Sequence, residues 1–169
     1  MPISYFDAVE QCLGELIQQF EQNQYYFYSE WDAKYFFYYL LASKEIFKEG
    51  YTTKDNKKTG LIHTEYPSIS RLPVDIVVFD PKTLTNYLLK KQRVLCQIEM
   101  KLWKIGHYKP EKEKNYRDRL RADTQARKYF VYLIRKPAYK DEFREDLLKH
   151  KEANESILIE NKVAIVTKI

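Results

Sequence analysis

Two short apolar runs, Val74–Phe79 and Val94–Lys101, leave this chain few choices of fold. Both have the length and the β-branched content of core strands. Each nevertheless carries charge. Asp75 opens the first run, and Glu99 and Lys101 close the second. An ionised group taken out of water is costly unless something pairs with it, so three of them at the ends of adjacent core strands mark a site. The stretch Leu61–Trp103, which holds both runs, is the part around which the rest is organised.

The flanking sequence supplies elements to cover such strands. Ser4 and Asp7 have capping-box spacing and open a helix whose apolar positions are Phe6, Val9, Leu13, Leu16, Ile17 and Phe20. A second box, Ser29 to Asp32, opens a helix to about Lys48 that is apolar on nearly every face, so it is expected to pack on the sheet and the first helix together. Gly50–Gly60 is a polar loop, Leu61–Tyr66 a strand ended by Pro67, and Thr83–Lys91 a helical or irregular connection. Beyond Lys101 the pattern gives a charged helix over about Glu111–Arg127, a strand over Tyr129–Arg135 and a helix over Asp141–Ala153. Ile157–Glu160 and Val163–Thr167 follow as one or two short strands, a hairpin across Asn161-Lys162 if two. The order α-α-β-β-β-α-β-α-β predicts an α/β protein with a mixed sheet covered by helices. At 169 residues, a single domain is expected, with a core over about 29–135, an N-terminal support helix within 1–24 and an extension over 137–169.

Charge placement narrows the partner. The net charge is +5, and residues 104–128 alone hold nine Lys or Arg against four Asp or Glu, so the rest of the chain is balanced. A positive field beside an acidic cluster suits a phosphate-bearing polymer. Lys112, Lys114, Arg117, Arg119, Arg121, Arg127 and Lys128 are the candidate backbone contacts, about half of which one helix face can present at once. The tyrosine-rich run Tyr25–Tyr28 offers rings for base stacking, although packing is the commoner use of rings beside a helix. No apolar run approaches membrane-spanning length, and no leader pattern is read at the N-terminus. Cys12 and Cys96 lie far apart in apolar surroundings and read as buried free thiols of a cytoplasmic protein. Three scattered histidines give no zinc spacing.

Side chains two apart on a strand point the same way, so Glu99 and Lys101 project together, and Asp75 joins them if the two strands are neighbours. Two carboxylates offer hard oxygen ligands to Mg²⁺. A Glu-x-Lys tripeptide alone says little, since 15 Glu and 21 Lys give about two by chance. The second, Glu160-Asn161-Lys162, reads as a hairpin tip, and Asp80-Pro81 as a strand-ending turn. Position at the end of a core strand is what distinguishes Glu99-Met100-Lys101.

Asp75-Ile-Val-Val-Phe followed by Gln97-Ile-Glu99-Met-Lys101 resembles the PD-(D/E)xK nuclease superfamily, with its restriction-endonuclease-like αβββαβ core. The resemblance implies Mg²⁺, replaceable by Mn²⁺, held by Asp75 and Glu99 with the Met100 backbone carbonyl, and Lys101 assisting the attacking water. It also implies a further acid from the first core helix, Glu30 ahead of Asp32, with Glu65 as the lesser candidate. Acids in a helix's first turn ordinarily cap it, so Glu30 has a structural reading beside the functional one. The literal Pro-Asp pair is missing, because Val74 separates Pro73 from Asp75. The expected activity is that of a DNA endonuclease, acting as a homodimer where both strands of a duplex are cut. The alternative is a nuclease-like module that binds nucleic acid or a partner without cutting.

Overall fold

The structure is a computed structural model that describes residues 3–48, 51–52, 58–67, 73–82, 93–103, 126–135, 140–149 and 155–168. Helix α1 spans Tyr5–Gln22, α2 Glu30–Ser43 and the single turn α3 Glu45–Lys48. The polar loop holds a two-residue ladder that its sequence did not signal, β1 (Tyr51–Thr52) against β2 (Lys58–Thr59). Then come β3 (Ile62–Pro67), β4 (Pro73–Phe79), β5 (Val94–Trp103), β6 (Arg127–Ile134), α4 (Lys140–Lys149), β7 (Ser156–Glu160) and β8 (Ala164–Lys168). The expected Thr83–Lys91 connection lies outside the described residues. So does the basic helix up to residue 125, and with it Lys112, Lys114, Arg117, Arg119 and Arg121.

Six strands form one mixed sheet in the order β3-β4-β5-β6-β8-β7. Only β5 and β6 run parallel; the other pairs are antiparallel. The protein is therefore mixed α/β, as its element pattern predicts. The central strands are largely apolar because both faces are covered: every residue from Val74 to Phe79 and from Lys128 to Ile134 is buried, Asp75 and Lys128 included.

Helix α1 begins at the expected box, with Ser4 Oγ accepting from the Asp7 amide at 3.1 Å. Its stripe of Val9, Cys12, Leu13, Leu16, Ile17 and Phe20 is buried, each large side chain contributing about 1.5–3 kcal/mol. Glu10 fixes it to the sheet by accepting from the Tyr129 hydroxyl at 2.8 Å and pairing with Lys168 at 3.2 Å. The closing hairpin forms at the expected place. Asn161 Oδ1 accepts from the amides of Val163 and Ala164, and Glu160 pairs with Arg144 on α4. Cys12 and Cys96 are buried free thiols, and burial pushes them up to about 11 and about 12.

One expectation needs correction. Arg127 and Lys128 are not the end of a helix but the start of β6. Lys128 is 5% exposed, and the Arg127 guanidinium lies over the Phe6 ring and 3.5 Å from Glu10. β6 begins early because its parallel register carries Arg127 to Cys96 and Lys128 to Gln97, deep inside the sheet. Helix α2 packs on both the sheet and α1, as expected, through Ala33, Phe37, Leu40 and Leu41, while Trp31, Tyr35, Tyr38 and Tyr39 face solvent.

Candidate active site

β4 and β5 are antiparallel neighbours, with Ile76 opposite Ile98 and Val77 opposite Gln97. Asp75 shares the face of Val77, and Glu99 and Lys101 share that of Gln97, so all three acidic and basic groups project together. Beyond the Ile76–Ile98 pair the Asp75 carboxylate takes over a ladder bond: its Oδ2 accepts from the Met100 amide at 2.7 Å. An N–H that a sheet would have satisfied thus fixes the acid's orientation. β6 supplies a dry floor, since Phe130 and Tyr132 pair with Glu99 and Lys101, are buried, and stack on each other at 4.5 Å.

Lys101 stands where the carboxylates converge. Its Nζ is 2.7 Å from Glu99 Oε1, 3.3 Å from Glu30 Oε1 and 4.0 Å from Asp75 Oδ2. Burial pulls its ammonium down, but Glu99, Asp75 and Glu30 outweigh that and hold it charged well above the usual lysine range. Burial raises the Glu99 carboxyl, and the Asp75 charge adds to the rise. Lys101 opposes without reversing it.

The two acids at the start of α2 divide their work. Asp32 completes the capping box that Ser29 opens, accepting from the Ser29 amide at 2.7 Å. Glu30, with that duty taken, turns toward β5, where Oε1 meets Lys101 and Oε2 accepts from the Leu102 amide at 3.4 Å. Glu65 reaches the cluster by another route. Its carboxylate pairs with Lys34 of α2, which lies 2.6 Å from Asp75 Oδ1. Glu65 adopts φ 51°, a left-handed conformation costly outside glycine, between the paired residues Thr64 and Tyr66.

Lys34 was missed by sequence reasoning. It is 3% exposed and its Nζ lies 4.1 Å from the Trp31 ring centroid. Burial alone lowers a lysine, yet the hydrogen bonds to Asp75 and Glu65 raise this one. Its signal was faint: a lone lysine one turn after Glu30, in a run otherwise uncharged to Lys44.

Around Asp75, Glu99, Glu30 and Glu65 the structure thus gathers four carboxylates against the two ammoniums of Lys34 and Lys101, which leaves two negative charges over. The donors are hard oxygens of the type that divalent cations select. Among the described residues, no three His, Cys, Asp or Glu side chains are grouped closely enough to hold a metal ion; Lys101 occupies the point of convergence instead. Among the described residues no helix is long and apolar enough to cross a membrane.

No family model, curated protein or solved structure matches this chain.

Proposed function

We propose that this protein is a Mg²⁺-dependent nuclease of the PD-(D/E)xK type that hydrolyses phosphodiester bonds, most readily as a DNA endonuclease. One observation carries the reading: Asp75, Glu99 and Lys101 share one face of adjacent core strands, with Glu30 entering from α2. The surplus of two negative charges matches one divalent cation, and the donor set is right for Mg²⁺ or Mn²⁺. Asp75 and Glu99 would hold it, with the Met100 carbonyl and either Glu30 or Glu65 completing the set. Such a cation, when bound, neutralises charge on the phosphate and favours ionisation of water.

The chain's own part follows from its geometry. Lys101, kept as an ammonium by its three acids, orients the attacking water by hydrogen bonding and offsets the charge that grows on the phosphoryl oxygens. Glu30 holds Lys101 from α2. Lys34 holds Asp75 in place from α2. Water adds its oxygen to phosphorus as one ester P–O bond breaks, leaving a phosphate monoester and a free hydroxyl. With one such cluster among the described residues, cutting both strands of a duplex calls for a homodimer. Free thiols at Cys12 and Cys96 fit a cytoplasmic location.

The test is cleavage of supercoiled plasmid and single-stranded circles in Mg²⁺, with EDTA and Asp75→Ala as controls. Cleavage that needs both Mg²⁺ and Asp75 is expected. Equal behaviour of wild type and variant on every substrate defeats the proposal. Metal-independent binding with no turnover would favour the silent binding module instead.

A further inference from the structure

The solvent face of α2 has an unusual composition. At about 100° per residue, Tyr38, Trp31, Tyr35 and Tyr39 fall within about 100° of arc, and they are 37%, 50%, 59% and 67% exposed. Just before the helix Tyr25 and Tyr28 are each 81% exposed. A solvent-facing helix stripe is ordinarily charged, yet from Tyr35 to Ser43 there is no charged residue. The aliphatic side chains Leu40 and Leu41 turn inward, so the exposed stripe consists of rings, most of them tipped by a hydroxyl.

The stripe borders the candidate site. Lys34, one turn along from Glu30, has Asp75 on one side and the Trp31 ring on the other. Trp31 in turn stacks on Tyr35 at 5.9 Å, 29° from parallel. One cation stands at the end of the row: the Arg135 guanidinium donates to the Tyr28 carbonyl at 3.1 Å and lies 5.7 Å from the Tyr25 ring. Lys34, between Trp31 and Tyr35, is buried and spends its charge on Asp75 and Glu65. Open aromatic faces beside the Arg135 cation suit a ligand with flat π-surfaces on an anionic backbone. Bases inside a duplex hide those surfaces; unpaired bases expose them.

We propose that the aromatic stripe of α2 is a stacking platform for the unpaired bases of single-stranded nucleic acid, leading a strand to the Asp75–Glu99–Lys101 cluster. The nuclease reading supplies what waits at the end of the stripe, and binding itself does not depend on it. The occupant is recognised by ring faces and backbone charge, with little sequence preference.

The test is fluorescence anisotropy in EDTA with three labelled probes: a 15-nucleotide oligo(dT), an abasic chain of the same length and charge, and a 15-base-pair duplex. Tyr35→Ala and Tyr39→Ala are used singly and together, because Trp31 supports Lys34. Wild type is expected to bind oligo(dT) at least about tenfold more tightly than the abasic chain, with about a tenfold loss for each ring removed. Abasic binding should stay unchanged, and Tyr35→Phe with Tyr39→Phe should keep wild-type affinity. Equal binding of oligo(dT) and abasic chain, unchanged binding by the double variant, or no binding of any probe overturns the inference. So does sedimentation showing that the double variant converts a dimer to a monomer with oligo(dT) affinity intact, since the stripe would then be a self-association face. Tyrosine-dependent binding without cleavage in Mg²⁺ would uphold the platform and defeat the nuclease; cleavage indifferent to the tyrosines would do the reverse.

Discussion

Replacing Lys34 with methionine keeps the apolar stem and removes the ammonium that Asp75 and Glu65 share. Breaking a buried ion pair from one side costs about 3–5 kcal/mol, because the remaining charge stays out of water without a partner. Two features place Lys34→Met near the lower end. The Glu65 side chain is 35% exposed and is rehydrated by solvent. Asp75 retains the Met100 amide at 2.7 Å and the Lys101 ammonium at 4.0 Å. The expected loss is about 3 kcal/mol, or about 6–12 °C in Tm for a chain of this size. Urea unfolding followed by circular dichroism should show the midpoint falling with the slope unchanged. Glu65→Gln, which removes only the wetter partner, should cost less than about 1 kcal/mol. Adding Asp75→Asn to Lys34→Met should recover much of the loss, because the stranded charge is gone. A Lys34→Met protein within about 0.5 kcal/mol of wild type, an effect too small for a buried pair, refutes the reasoning. A large loss that Asp75→Asn leaves untouched refutes it too, and moves the effect to packing of the stem.

The acids at the start of α2 should separate by assay. Ser29→Ala, which removes the cap, is expected to lower stability by about 1 kcal/mol and leave cleavage unchanged. Glu30→Gln should reduce cleavage while shifting stability by less than about 0.5 kcal/mol, a surface-like change. Loss of activity in the first or stability in the second would reverse the assignment. His63 gives a pH prediction. Burial lowers its pKa, only partly offset by its bond to the Gly60 carbonyl, so the folded state resists protonation. Its contribution is intact above the ordinary histidine value of about 6.5 and is lost as pH falls through that value toward the lower folded one. His63→Gln should therefore lose less stability than wild type between pH 7.5 and 5.5; identical losses would contradict this.

The sequence made the strands and the pairing of Asp75 with Glu99 and Lys101 legible, because buried strands advertise themselves as unbroken apolar runs. Helix α1 and the final hairpin were readable through Ser4, Asp7 and Asn161, whose side chains act within a few residues of themselves. What escaped depends on contacts far apart in the chain. Lys34 takes its meaning from Asp75 and Glu65, each more than thirty residues away, and one lysine on a helix carries no such mark. The left-handed Glu65 is likewise set by tertiary pull and not by its residue type. Arg127 and Lys128 looked like the tail of a charged helix, since periodicity cannot show where a parallel partner strand begins. Which tyrosines of α2 face solvent was not legible, because a helix apolar on nearly every face carries no stripe and only the packed neighbours reveal which side remains open.

Single-turnover cleavage of a labelled oligonucleotide carrying both single-stranded and duplex segments, at saturating Mg²⁺, tests the central claim most directly when wild type is set against Glu99→Gln. The exchange keeps size and shape while removing the charge that Lys101 meets at 2.7 Å. Cleavage by wild type and a fall of at least about a hundredfold in the variant is the predicted result. Equal rates for the two folded proteins would contradict it.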